Sequence, residues 1–304
     1  MKLRRWLLVI RLPFLILPIV LVFFGTSIAW YDGYFNFGYA LLAFLGFLLA
    51  HISVNVLNEY HDFKSGLDLA TKRTPFSGGS GALPAGLFQP GQVLWLGLIS
   101  FLAAVPIGIY FVIVSGWQLL PLILVAAACL LLYTPFILKT GYPEWAPGIG
   151  FGLLPILGFY FVQTGSYTLP VFIAAIPSTI LAHNLLLLNE FPDVEADRNA
   201  GRKTLPIFIG KEKASIVYSS LTILVYLWIV GGVAATWITG SVVMPPYCLI
   251  ALLTLPFAIK VIIGSRQYQD IGKIVPAMAN NVLIVILTPV LLGVGYILSR
   301  VFLV

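Results

Sequence analysis

Two short stretches hold most of the acids in this chain. NEYHDFKSGLD, over Asn58–Asp68, contains Glu59, Asp62 and Asp68; NEFPDVEAD, over Asn189–Asp197, contains Glu190, Asp193, Glu195 and Asp197. Together they carry seven of the eleven acids in a sequence that is 60% hydrophobic and 9% charged. Ionisable groups are costly at membrane depth and usually mark function. Their spacing adds to this. His51, Asn55, Asn58 and Asp62 are offset by 4, 3 and 4, which places them on one helix face. Asn189, Asp193 and Asp197 are offset by 4 and 4, again one face. A lone Asp near a helix end is ordinarily a cap or an interfacial charge. Two matching windows, each with Asn and Asp on a shared face, point to a common site.

Facing carboxylates repel. At ~6 Å and an effective dielectric near 20, each pair of like charges costs about 3 kcal/mol. A hard divalent cation relieves this, and Mg²⁺ typically combines one or two carboxylates with waters and substrate phosphates. The windows therefore read as a Mg²⁺ platform for a phosphorylated ligand. The nearby bases Lys64, Lys72, Arg73, Arg198, Arg202 and Lys203 suit phosphate oxygens.

The elements that must position these groups are membrane spans. Soluble domains average about 25% charged residues, and the mean hydropathy here is +1.01. Nine apolar runs lie near 8–28, 38–58, 93–115, 118–136, 147–165, 168–190, 214–236, 244–264 and 275–299. Each approaches the ~20 residues that cross a ~30 Å hydrocarbon core. Runs three to six are closely spaced, so eight spans is an alternative. Helices are required, because lipid leaves an open backbone unsatisfied. The first run reads as a span rather than a removable leader. Cys129 and Cys248 lie in apolar runs and read as packed core thiols. The whole of 1–304 reads as one integral-membrane domain.

Charge orients it. With the N-terminus in the cytoplasm, the cytoplasmic connections carry Lys64, Lys72, Arg73, Lys139, Arg198, Arg202, Lys203, Lys211, Lys213, Lys260, Arg266 and Lys273. The opposite connections carry no Lys or Arg, and only Arg300 falls near that side. The +6 net charge thus reads as orientation. A nucleic-acid partner would need a basic face on a soluble element, and none is visible. The two long connections, roughly 59–92 and 191–213, are both cytoplasmic in this scheme, and length of that kind is usually functional.

These residues resemble the UbiA superfamily of intramembrane prenyltransferases. Asn58, Asp62, Gly66 and Asp68 match the form N-x3-D-x3-G-x-D. Asp193, Asp197, Ala200, Gly201, Arg202, Thr204 and Leu205 match D-x3-D-x2-A-G-[KR]-x-T-L. LYTPFILKTGYPE (Leu132–Glu144) is similar to the family's Tyr-to-Lys connection, and IRLPFL (Ile10–Leu15) to its early Arg-x-Pro. The pattern is most similar to the menaquinone-pathway branch, which prenylates 1,4-dihydroxy-2-naphthoate; Pro192 stands where that branch often has Arg. The resemblance implies an all-α polytopic bundle of about nine transmembrane helices around a central cavity. It implies transfer of an isoprenyl group from a prenyl diphosphate to a small aromatic acceptor, with Mg²⁺ as cofactor and membrane lipid around the enzyme. Asp62, Asp68, Asp193 and Asp197 would hold the metal, with Asn58 and Asn189 in support. Lys64, Arg73, Lys139, Arg198 and Lys203 would contact the diphosphate. Tyr133, Tyr60 and Phe63 are candidates to shield an allylic cation through their π faces.

Other polar residues carry weaker expectations. His51 either packs within the bundle or bonds the acceptor. His183 reads as a helix-packing residue, and Asn280 and Asn281 read as interhelical hydrogen-bonders. Glu144 either positions Lys139, helps remove a proton or forms an interfacial ion pair. Two alternatives stay open: a non-aromatic lipid acceptor, and a cation-coupled secondary transporter. Against the transporter, the acids gather at one membrane face, whereas transporter sites lie near the midplane.

Overall fold

The computed structural model describes residues 2–71 and 73–303. Every regular element among them is helical. Eight helices are long and apolar enough to cross a membrane: α1 (Leu12–Tyr31), α2 (Phe37–Lys64), α3 (Pro90–Val114), α5 (Trp145–Thr164), α6 (Leu169–Asn189), α7 (Lys211–Thr239), α8 (Pro246–Ser265) and α9 (Ile271–Leu303). The fourth expected run forms α4 (Leu119–Leu132), an apolar helix of 14 residues. All nine runs are therefore helices, and eight of them reach spanning length.

The ends of these helices follow from local sequence. Asn36 caps α2, its side chain accepting from the Tyr39 N–H, and Thr168 caps α6 by accepting from Val171. Gln89 and Gln92 form a reciprocal capping box at α3, with Pro90 at its first position. Gly165 and Gly240 close α5 and α7 in the left-handed region, where a side chain is disfavoured.

The main core joins α1, α5, α6, α7, α8 and α9. Leu21, Phe24 and Ile28 of α1 pack with Ile156, Phe159 and Tyr160 of α5. In α5 the segment Ile149–Leu153 widens to a π turn, a feature frequent at functional sites. Gly152 allows this close approach, since an added Cβ would meet the Thr179 backbone of α6 at 2.4 Å. On the far side, Arg300 donates to the Tyr31 carbonyl at 3.1 Å, so the one base expected there is satisfied by a helix end. The long connections after α2 and α6 meet at the opposite end of the bundle.

Candidate active site

The first window depends on one turn. α2 runs unbroken to Lys64, and Gly66, at φ 79°, redirects the chain into the short helix Leu67–Ala70. That turn, natural only for glycine, brings Asp68 back towards Asp62. Both are buried, at 5% and 6% exposure. The Asp68 Oδ2 atom is buried with no hydrogen-bond partner among the described residues.

The second window is not the continuous helix that its spacing predicts. α6 ends at Asn189, and a separate helix, Val194–Asn199, begins after Asp193. Pro192 explains the break: it has no N–H to donate and disfavours helical geometry at Phe191. Asp193 still accepts, through its carbonyl, the Asp197 N–H at 2.8 Å. Gly201, at φ 76°, then reverses the chain. The Arg202 N–H returns to the Asp197 carbonyl at 2.9 Å, and the Lys203 N–H bonds the Leu138 carbonyl at 2.8 Å.

This reversal sets the Arg202 guanidinium between the windows. One terminal nitrogen donates to Asp197 Oδ1 at 3.0 Å and the other donates to Asp62 Oδ1. The three side chains are 15%, 3% and 9% exposed respectively. The windows therefore converge on a single buried ion triad. Ser77, in the glycine-rich loop FSGGSGALPAG (Phe76–Gly86) of the first long connection, approaches Asp193 Oδ1 at 3.4 Å, and Gly79 lies against the Asp68 carboxylate.

Like charge and burial raise the carboxyl affinities for protons. Burial pushes Asp68 up to about 7, with the carboxylates of Asp62 and Glu59 adding to it. Burial and then Asp197 raise Asp193 to about 7. Asp197 is raised by burial to about 6, with Arg202 pulling it down and Asp62 pushing it up. Burial works against the charge on Arg202, but Asp62 and Asp197 outweigh it and hold the guanidinium above its ordinary value.

Beneath the acids a cavity of about 690 Å³ enters the membrane-spanning region. Arg11, Asn58, Tyr133 and Asn189 line its polar end. Asn58 donates to Thr134 Oγ1 at 3.1 Å, while Asn189 Oδ1 is buried without a partner among the described residues. His51 and Asn55 continue the α2 stripe into an otherwise apolar wall that includes Phe47, Phe151 and Phe159.

A model described as the UbiA prenyltransferase family matches residues 17–298. The chain belongs to that family. The 1,4-dihydroxy-2-naphthoate octaprenyltransferase of Bacillus subtilis is 32% identical over 85% of this chain and 82% of its own length. The protein of the same name in Haemophilus influenzae is 27% identical over 98% and 97%. Among solved structures, a UbiA homolog from Archaeoglobus fulgidus bound to GPP and Mg²⁺ superposes with a TM-score of 0.61 at 15% identity, over 96% of this chain and 99% of that one. This UbiA-family protein is an integral membrane prenyltransferase, and the transporter alternative falls away.

Within this prenyltransferase, several expected residues stand apart from the acids. Lys64, Lys139 and Lys203 are exposed, the last two brought near each other by the Lys203–Leu138 bond. Arg198 pairs with Glu195 at 3.4 Å on the surface. Arg73 donates to the carbonyls of Gly79, at 3.1 Å, and Ser80. Lys72 lies outside the described residues. Tyr60 and Phe63 pack with Val9, Val56 and Leu83; they occupy another face of α2 and do not line the cavity, which corrects their expected shielding role. Glu144 pairs with no base among the described residues. It accepts the Leu205 N–H at 2.6 Å and lies beside Glu190, whose carboxyl is raised well above its usual range by burial and by Glu144.

His183 joins Tyr142 at 2.8 Å and Asn184 at 3.0 Å, and Asn281 accepts from Tyr218 at 2.9 Å. Asn281 is the interhelical bonder expected, while His183 is buried against the 132–144 connection and its own helix neighbour. Asn280 instead bonds the Pro276 carbonyl of its own helix. The group underweighted in the sequence is Arg202, five residues after Asp197, whose part depends on the Gly201 reversal.

Proposed function

We propose that this prenyltransferase moves an isoprenyl group from an allylic prenyl diphosphate to an aromatic acceptor of the 1,4-dihydroxy-2-naphthoate type, in a Mg²⁺-dependent reaction. The observation that carries the reading is the convergence of Asp62 and Asp197 on Arg202 at the mouth of an apolar cavity. The two naphthoate prenyltransferase relatives support the acceptor class, and the Archaeoglobus protein's GPP and Mg²⁺ support the donor and the metal.

Among the described residues no three acids are drawn together tightly enough to enclose a metal by themselves, so the fit to a hard cation rests on two unpartnered oxygens and on phosphate oxygens completing the shell. Asp68 Oδ2 and Asn189 Oδ1 are buried oxygens without partners among the described residues, and oxygen donors suit Mg²⁺. Asp62, Asp68, Asp193 and Asp197 would hold it, with Asn58 and Asn189 beside them. When bound, the metal supplies Lewis-acid stabilisation of the departing diphosphate. Arg202 keeps the opposing carboxylates together and offsets their repulsion. Lys64, Lys139 and Lys203 are exposed point charges available to the diphosphate; Arg73 and Arg198 would first leave their present partners. Tyr133, at the cavity's polar end, offers a π face to the allylic carbon once its C–O bond opens. The apolar wall takes the tail, with ~0.8 kcal/mol favouring each buried CH₂, and excludes water from the cation. The acceptor carbon then attacks, and its proton passes to a base or to the diphosphate. The active site faces the cytoplasm in this proposal, on the strength of the bases that surround the acid windows.

The test is product mass. Purified protein with prenyl diphosphates of several lengths and a panel of naphthoate, benzoate-type and alcohol acceptors should yield a prenylated naphthoate only with Mg²⁺. Turnover in EDTA, or on alcohols alone, contradicts the proposal.

A further inference from the structure

Glu59 belongs to the first acid window but does not face the ion triad. Its Oε1 accepts from Arg11 Nε at 2.8 Å, from Arg11 Nη2 at 2.6 Å and from the Ser80 backbone N–H at 2.6 Å. Its Oε2 accepts the Ser80 hydroxyl at 2.7 Å. The residue is 1% exposed. A carboxylate engaged through both oxygens in this way is poorly placed to ligate a metal, unlike Asp68 in the same window. Arg11, its ionic partner, is the one non-glycine residue at positive φ among those described, at 54°. Side chains rarely adopt that conformation, and here the ion pair secures it.

The other end of this clamp is the glycine loop. The Thr74 and Ser77 side chains close a turn at 2.9 Å, and Arg73 ties the carbonyls of Gly79 and Ser80. The loop meets both acid windows. Ser77 Oγ lies 3.4 Å from Asp193 Oδ1, and a Cβ added at Gly79 would stand 2.8 Å from Asp68 Oδ1. Ser80, directly after Gly79, is the residue that Glu59 grips.

We infer that Glu59 is a positioning residue: anchored by Arg11, it holds Ser80 and so fixes loop 77–81 over Asp68 and Asp193, setting the affinity for the diphosphate end of the donor. This rests on the proposed reading of the aspartates as the donor site. Removing the side chain altogether would also leave the guanidinium of Arg11, 21% exposed, with only Asn58, at 3.4 Å, among these partners.

Glu59→Gln tests it: an amide oxygen at the Oε1 position still accepts from Arg11 and the Ser80 N–H, but the carboxylate charge is lost and an N–H group replaces the acceptor that faces the Ser80 hydroxyl. On the purified full chain, amides 77–81 should exchange about tenfold faster, and the prenyl diphosphate KM should rise about tenfold. The kcat at saturating donor and Mg²⁺ should stay within about threefold, and the acceptor KM should not move. Glu59→Asp should recover part of the loss. If Glu59→Gln does not fold, Ser80→Ala takes its place. It removes the hydroxyl that donates to Glu59 and accepts the Ala82 N–H, leaves the Ser80 backbone N–H to Glu59, and should raise the donor KM about threefold. Unchanged loop exchange and donor KM, or a fall in kcat alone, overturns the inference. Asp62→Ala in the same assay separates the two claims. If it turns over normally, the aspartate reading fails. If it is inactive while Glu59→Gln matches the wild type, only the role of Glu59 fails.

Discussion

Arg202 reaches a carboxylate 140 positions away in sequence and, with its second nitrogen, one in its own window. Removing one member of a buried ion group costs ~3–5 kcal/mol, because the remaining charge stays buried. Arg202→Leu should therefore lower the melting temperature and reduce turnover by at least about a hundredfold. Arg202→Lys should not restore it, since a single ammonium lacks the planar fork that spans two carboxylates. Asp62→Ala or Asp193→Ala should abolish Mg²⁺-dependent turnover in a protein that still folds. The raised carboxyls carry a pH signature. Asp68 and Asp193 sit near about 7 and Asp197 near about 6, against roughly 3.9 in an unfolded chain. Their contribution to stability is complete below about 4 and is lost progressively as pH rises from about 4 to about 7. Metal-free protein should thus melt lower at pH 8 than at pH 6. Mg²⁺ must displace those protons, so its half-saturating concentration should fall over the same interval. Melting curves with and without Mg²⁺ at both pH values check both signs.

The helices explain which of these residues were legible from sequence. The α2 stripe of His51, Asn55, Asn58 and Asp62 is readable because one unbroken helix carries it, and 3.6-residue periodicity needs no tertiary information. The second window was readable as chemistry but not as geometry. Pro192 splits it, and the two pieces regain alignment only through the turn at 190–193 and the helix after it. Arg202 was harder, because its direction is set by Gly201 rather than by any periodic spacing. Gly201 therefore offers a test at this scale. Gly201→Ala forces a side chain into the left-handed region, at about 1–2 kcal/mol. It should reduce turnover more than thermal stability, because the reversal positions Arg202 while leaving the main core untouched. Equal activity in Gly201→Ala would mean that the reversal does not matter. Nine helical runs were equally legible from hydropathy. The 14 residues of α4 could not be foreseen, since an apolar run carries no mark of where its helix yields to the 132–144 connection.

Taken whole, the molecule sets a charged rim on an oily chamber, and that division predicts coupled binding. Mg²⁺ and a prenyl diphosphate together should raise the melting temperature more than the sum of either alone, because each completes the other's site. The chamber should also limit the tail. Ala126 of α4 lines its wall; Ala126→Phe should shift preference to shorter prenyl diphosphates while leaving Mg²⁺ dependence intact, as read by product masses. The depth of the chamber was beyond the sequence, because it depends on how α3, α4 and α5 separate rather than on their composition. Both acid windows serve one diphosphate in this proposal. Anomalous diffraction from crystals grown with Mn²⁺ and a non-ionising donor analogue tests it most directly. Metal peaks should lie ~2.0–2.2 Å from carboxylate oxygens of both the Asp62/Asp68 and the Asp193/Asp197 windows, bridged by one diphosphate. Metal confined to a single window, with the other turned to separate surroundings, would contradict it.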